Sequence, residues 1–253
     1  MAISVPTWTA QGANQTSATT LACTSSGSLA VGDLIVVFIG CDNAGTAGVS
    51  SISAPTDSAG NTYTQLKIQN RTAASAVSDG CTAAIYATIT GNATVATLTA
   101  NFSPATTAKC VYAIAFRGAG ATIGASYGSG VGSGTGTTYT AVTTASVTNT
   151  ELCLACIANE TATVPGADGD TTNGIWVEAT VTSGGTGGDA TKVALRAGYK
   201  IVTATATQTF NGATGVSTDW AEVIVAFPRA VDPPRLPLRP PIPRTAVRRA
   251  SFW

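Results

Sequence analysis

The stretch Gly32-Asp33-Leu34-Ile35-Val36-Val37-Phe38-Ile39 begins with a glycine and an acid and continues with six uninterrupted apolar residues. Residues 149–157 repeat the pattern, with Glu151 in the place of Asp33 and Leu152 in the place of Leu34. Six or so apolar residues bounded by Gly, Asn and acids indicate a strand buried on both faces, because a helix needs about ten or more. The sequence therefore predicts two halves, each built around one such central strand.

The composition agrees with an all-β protein. Only 10% of the 253 residues are charged, 27 are Gly, and Thr, Ser and Ala are abundant, which favours many short strands and turns. A chain of this length holds one large domain or two of ordinary size and can bury a core without disulfides or a metal. The low charge fits either a sticky soluble domain or a protein whose surface is largely covered by neighbours.

The two halves also share short motifs. Residues 57–63 and 170–176 each contain an acid, small turn residues and then an aromatic residue, at an offset of 113. Tyr86 falls on Tyr199 at the same offset. Two anchors with one offset indicate an internal repeat.

The closing strands extend the repeat. The apolar strand 110–116 matches 221–227 at an offset of 111, both ending in Ala-Phe, whereas the first-strand runs match at 118. Insertions and deletions in loops explain such differences. We predict tandem β-sandwiches of the jelly-roll or immunoglobulin-like kind, residues 1–118 and 119–229, each with about seven or eight strands. The Gly/Ser/Thr-rich stretch 118–136 between them is either a linker or an extended edge strand.

The predicted strands of the first half follow the apolar segments, with weaker edges at Trp8 and 50–52. They are Leu21–Cys23, Leu34–Ile39, Tyr63–Gln69, Ala83–Thr88, Thr94–Phe102 and Cys110–Phe116.

The last 24 residues, 230–253, differ from the rest of the chain. They contain six of the 11 prolines and five arginines against one acid, a net charge of +4, whereas residues 1–229 carry −4. Proline excludes helix and inner strand, so we predict an extended, polyproline-like arm that could reach roughly 75 Å. Arginines spaced by Pro and Leu fit an acidic protein groove better than nucleic acid.

The arm residues predicted to bind a partner are basic, aliphatic or aromatic. They are Arg235, Leu236, Leu238, Arg239, Ile242, Arg244, Arg248, Arg249, Phe252 and Trp253.

No catalytic, metal-binding or cofactor-binding residue is predicted. The chain has no histidine, and its lysines lack a Ser-X-X-Lys context. Residues 128–134 resemble a phosphate loop but lack its Lys and helix, and Asp168-Gly-Asp170 lacks the remaining ligands of a calcium loop. A carboxylate pair for glycoside hydrolysis stays open at this stage, although no acid has aromatic-rich surroundings.

Sugar binding by exposed aromatics is a rival interpretation. The aromatic residues at matched positions of the two halves favour packing roles instead: Tyr63, Tyr86, Trp176, Tyr199 and Trp220.

The six cysteines are predicted to be reduced and buried. The N-terminus lacks the basic and apolar regions of a signal peptide, which predicts a cytoplasmic product. Cys153 and Cys156 have redox spacing, but an odd spacing along a strand points the two sulfurs to opposite faces.

Three segments carry a resemblance to a known group of proteins: 31–37 (Val-Gly-Asp-Leu-Ile-Val-Val), 57–64 (Asp-Ser-Ala-Gly-Asn-Thr-Tyr-Thr) and 112–118 (Tyr-Ala-Ile-Ala-Phe-Arg-Gly). They resemble virion structural proteins of tailed bacteriophages, of the head decoration, minor capsid or minor tail type. The resemblance covers residues 21–229 in outline and leaves the arm outside it.

The resemblance implies a non-enzymatic capsid decoration (cement) protein, and we expect the arm to attach it. The expected partners are the major capsid protein, copies of the chain itself, for example in a trimer, or both, with no nucleic acid and no membrane. The expected location is the virion, after synthesis in the host cytoplasm. Two alternatives stay open: a tail or baseplate protein that contacts the host surface, with glycans as candidate ligands, and an esterase-like or glycosidase-like sandwich enzyme.

Overall fold

The computed structural model describes residues 2–43, 52–72, 80–119, 123, 128–143, 146–147, 151–183 and 191–227. This part of the chain forms strands and no α-helix, so the all-β class is confirmed. The strands are β1 (Thr9–Asn14), β2 (Ala18–Ser26), β3 (Leu34–Asp42), β4 (Ile52–Asp57), β5 (Thr64–Thr72), β6 (Gly80–Ile89), β7 (Thr97–Thr106), β8 (Lys109–Phe116), β9 (Ser129–Val142), β10 (Leu152–Asn159), β11 (Val177–Thr182), β12 (Ala194–Ile201) and β13 (Thr209–Phe227).

The first half forms one antiparallel sheet in the order β4-β7-β2-β1-β8-β3-β6-β5. This sheet is nearly closed on itself, and its interior is the first inner core. Ile35, Val37 and Ile39 of β3 point into this core, where they meet Trp8 and Phe102. The period of two along a strand then sends Leu34, Val36 and Phe38 to the opposite face.

The second half forms a five-stranded antiparallel sheet in the order β11-β12-β10-β13-β9. One of its faces carries the second inner core, which includes Tyr139, Ile157, Trp176, Phe210 and Ile224. The Trp176 ring packs edge-on against Phe210, with centroids 4.8 Å apart. Residues 129–136 of the Gly/Ser/Thr-rich stretch belong to β9, at the edge of this sheet, as the edge-strand alternative predicts.

The two sheets bury their remaining apolar faces against each other. This shared core contains Leu34, Val36 and Phe38 of β3 together with Leu152 and Leu154 of β10. Each central strand is therefore buried on one face by its own half and on the other by the opposite half. This packing explains why every residue of β3 and of β10 is buried.

Strand pairing follows the predicted repeat where its offsets are 118 and 111. Leu34 pairs with Phe116 in the first half, and Leu152 pairs with Phe227 in the second. The first half has eight strands, within the predicted number, whereas the described second half has five, where about seven or eight were predicted from the turn spacing.

The predicted equivalence of Tyr86 and Tyr199 is wrong by one residue. Tyr86 points into the first inner core, whereas Tyr199 packs against the shared core. A β-bulge between Gln65 and Lys67 inserts one extra residue into β5. The pairing of β11 with β12 contains no such bulge. The offset therefore changes from 113 before the bulge to 112 after it, which aligns Tyr199 with Ala87.

All six cysteines are free and buried. Cys153 lies in the second inner core and Cys156 in the shared core, so their sulfurs point to opposite faces as predicted. Burial raises the pKa of Cys23 to about 11. Since the thiolate is the reactive form, these thiols are protected both by low access and by protonation.

We expect the unreduced native protein to resist alkylation at neutral pH and to take up six adducts once it is unfolded. Intact-mass measurement with and without denaturant checks this. Two adducts missing under denaturing conditions would reveal a disulfide and contradict the prediction.

No helix long and apolar enough to cross a membrane occurs in the described ranges.

Candidate interaction site

A groove of about 550 Å³ opens where the two halves meet. Its walls are mostly apolar and are formed by Val5, Ile175, Val177, Tyr199 and Ile201. We call this surface the apolar groove. Ile175 and Val177 are 66% and 51% exposed, which is unusual for aliphatic side chains so close together.

The outward position of Ile175 and Val177 follows from the residue between them. Trp176 is buried in the second inner core, and its indole N–H donates to the carbonyl of Thr209 at 3.1 Å. Because neighbouring side chains in an extended segment point to opposite faces, anchoring Trp176 turns both neighbours outward.

The turn before Ile175 is fixed by glycine and by a buried lysine. Gly174 has φ +115, and a Cβ there would lie 2.7 Å from the carbonyl oxygen of Ile201. The buried Lys200 ammonium donates to the carbonyl of Thr172 at 2.8 Å and lies 3.6 Å from a carboxylate oxygen of Asp170. This wall of the groove is therefore held in place by several contacts.

The first half contributes Val5 to the groove and supports Tyr199 from below. The Tyr199 ring packs edge-on against Phe116, with centroids 5.0 Å apart. Val5 follows Ser4, which exchanges two backbone hydrogen bonds with Arg117. The Arg117 guanidinium in turn makes two 2.8 Å hydrogen bonds to the buried carboxylate of Asp33.

Asp33 links the groove wall to the central strand. Burial alone would raise the pKa of its carboxyl, but hydrogen bonds from Arg117 and from the Ala30 N–H, with the charge of Arg117, hold the pKa below its usual value. The predicted acid before the first apolar run therefore has a structural role, since it fastens the end of β8 to the start of β3.

Charged side chains lie close to Tyr139 of the second inner core. Arg196 forms an ion pair with Glu178 and donates to the carbonyl of Pro165 at 2.6 Å, while Asp168 accepts from the Asn211 N–H at 3.0 Å. Glu222 is fully buried, and neither of its carboxylate oxygens has a well-formed hydrogen bond.

Glu222 has no acidic counterpart in the first half. At the offset of 111, Val111 of the first inner core occupies the equivalent position. Burial raises the pKa of Glu222 well above its usual value, the Asp168 carboxylate raises it further, and the Ala141 N–H opposes this shift. The surroundings of Glu222 therefore favour the protonated form of its carboxyl group.

The two buried lysines, Lys109 and Lys200, donate hydrogen bonds to backbone carbonyls. The Lys109 ammonium is buried and donates to the carbonyl of Thr16 at 2.6 Å and to that of Thr106. Burial lowers the pKa of Lys109, with the Cys41 thiol acting in the opposite direction.

Within the ranges that the structure describes, no group of three or more Cys, Asp or Glu residues could hold a metal ion.

The sequence-predicted residues divide into two sets. Tyr63, Tyr86 and Trp176 are buried, which confirms packing roles for them, whereas Tyr199 and Trp220 are half-buried. The arm residues predicted to bind a partner, from Arg235 to Trp253, lie outside the described residues. Sequence reasoning missed the apolar groove, although Ile175-Trp176-Val177 is an apolar triplet in which only one residue can point inward.

Comparison with known proteins found no matching family model, no matching curated protein and no matching solved structure.

Proposed function

We propose that this protein is a non-enzymatic structural protein of a tailed-bacteriophage type of virion, a capsid decoration (cement) protein attached through its C-terminal arm. Its partners are the major capsid protein, further copies of the chain, or both.

The observation that carries the proposal is the relation of the arm to the body. The last described strand, β13, is the central partner of β10 and β9, and the chain enters residues 228–253 directly after Phe227. The arm carries a net charge of +4 and the body −4. A basic, proline-rich segment that continues from a firmly held strand is well placed to connect an acidic body with its neighbours.

The segments that carry the phage resemblance support the same proposal, because they form one structural unit. Residues 34–37 pair with residues 113–116 across β3 and β8, and Asp33 bonds Arg117 at the end of that pair. In the segment 57–64, Asp57 accepts hydrogen bonds from the Ala59 and Asn61 N–H groups and from the Tyr63 hydroxyl. The contacts of these residues stabilise the fold, which suits a protein that acts by presenting a surface.

The proposal includes a tandem organisation in which each half is one copy of a single sandwich unit. Each half contributes its own inner core, and in each half the first apolar strand pairs with the closing strand. The shared core then joins the two copies into one body, which provides a stable platform for an array of subunits.

Deleting residues 231–253 tests the attachment. We expect the truncated protein to keep its β-sheet circular dichroism but to bind particles at least tenfold more weakly in co-sedimentation, because the arm supplies the arginines and terminal aromatics. Replacing only Phe252 and Trp253 with Ala should produce much of this loss, and added salt should weaken binding through the arginines.

A truncated protein that decorates particles as well as the full chain would overturn the proposal. Val216→Ala, an exposed change in β13, is the matched control and should leave binding unchanged.

A further inference from the structure

The apolar groove lies close to the point where the arm leaves the body. Phe227 pairs with Leu152, and Leu152 pairs with Ile201, which lines the groove. Neighbouring strands are about 4.8 Å apart, so the arm begins roughly 10 Å from the groove. Residues 228–235 can span about 25 Å in an extended conformation, which is more than enough to bring the following residues into it.

The inner arm, residues 235–242, matches the groove in chemistry. Within seven residues the segment carries three aliphatic side chains, Leu236, Leu238 and Ile242. These side chains match the aliphatic walls of the groove, and the two arginines of the segment suit a body with a net charge of −4. Proline also restricts the free segment, which lowers the entropy lost on docking.

We propose that Leu236 and Leu238 dock in the apolar groove of the same molecule. The inner arm is then held against the junction of the two halves, and the outer arm, residues 243–253, projects from it toward a partner. Docking in the same molecule is favoured over docking in a second copy because a short linker gives a high effective concentration. This docking does not depend on the virion assignment.

Limited proteolysis of the full-length protein tests the docking. Trypsin cleaves after Arg except where Pro follows, so Arg239-Pro240 resists, while Arg235-Leu236 and Arg244-Thr245 are both susceptible bonds. Docking protects the first of these bonds and leaves the second as an internal reference. We expect cleavage after Arg235 to be roughly tenfold slower than cleavage after Arg244, because cleavage follows the open population.

A charge in the groove should remove this protection. Ile175→Asp alters a side chain that is 66% exposed, so the body should remain folded while cleavage after Arg235 accelerates to the rate at Arg244. Val31→Asp, at a position that is 71% exposed, is the matched control and should leave the ratio unchanged. Replacing both Leu236 and Leu238 with Ser should have the same effect as Ile175→Asp.

Equal cleavage rates at the two bonds in the unmodified protein would overturn the proposal, and so would protection that persists in Ile175→Asp. Protection that disappears on dilution would show docking in a second copy and would equally overturn it. All of these measurements use the isolated protein, so their outcome is independent of whether the arm attaches the protein to particles.

Discussion

Replacing Phe116 with Ala is expected to lower the free energy of unfolding by about 3–5 kcal/mol, the range for removing a buried aromatic ring. Phe116 is fully buried at the end of β8, belongs to the shared core and packs against Tyr199 of the opposite half. The cavity left by the ring would be lined by both halves. We therefore expect the whole protein to lose stability in a single transition.

Urea unfolding followed by tryptophan fluorescence and by far-UV circular dichroism measures this effect. Trp8 reports on the first inner core and Trp176 on the second, so coincident curves indicate that the two halves unfold together. Val31→Ala, a change at an exposed position, should shift the stability by less than about 0.5 kcal/mol. Two separate transitions, only one of them moved by Phe116→Ala, would show that the halves are independent.

The sequence pattern predicts the central strands well because their burial is extreme. Leu34–Ile39 and Leu152–Ile157 have no polar face, and such a strand needs a packing layer on each side. The sequence cannot say which segment supplies the second layer, since any apolar face would satisfy the pattern. In the structure each half supplies it to the other, through contacts between residues more than a hundred positions apart.

The predicted matches between the two halves agree with the observed strand pairing to within one residue. The strand-end matches Leu34 with Leu152 and Phe116 with Phe227 agree with the observed pairing. The tyrosine match fails because the bulge after Gln65 has no signature in composition or charge. A shift of one residue in the match changes the face to which a position is assigned, and Tyr199 accordingly packs against the shared core, like Ala87, and not into an inner core like Tyr86.

The candidate site shows where sequence patterns lose information. Trp176 was predicted to pack, and it does, but the exposure of its neighbours follows from the position of an edge strand. Glu222 stands in the apolar strand Ala-Glu-Val-Ile-Val-Ala-Phe, where alternation assigns it to the face opposite Val223. On that face Glu222 lies close to Tyr139 and Asp168, a proximity that alternation along the strand does not reveal.

Glu222 should make the stability of the protein fall as the pH rises. Its folded-state pKa lies well above that of an unfolded glutamate, chiefly through burial and then through Asp168, with Ala141 opposing. Between the two pKa values the folded state keeps the proton that the unfolded state loses, so the unfolded state is favoured by up to about 1.4 kcal/mol for each pH unit. Below the unfolded pKa both states are protonated, and this destabilisation vanishes.

Glu222→Gln removes the titration while nearly preserving the shape of the side chain. We expect the variant to match the unmodified protein near pH 4 and to become progressively more stable than it as the pH rises toward 8, in urea unfolding at each pH. The charged and titratable groups that act in this region, Asp168, Glu178, Arg196 and Tyr139, remain in both proteins. The difference between the two stability curves therefore isolates Glu222.

Asp33→Asn provides a control of opposite sign. The pKa of Asp33 is lowered in the folded state, so its carboxylate stabilises the protein above the unfolded pKa and loses that effect as the pH falls. The control variant should be less stable than the unmodified protein at pH 7, with a deficit that shrinks toward acid pH. A stability difference for Glu222→Gln that stays constant from pH 4 to pH 8 would mean that Glu222 titrates alike in both states, and the buried neutral carboxyl would be ruled out.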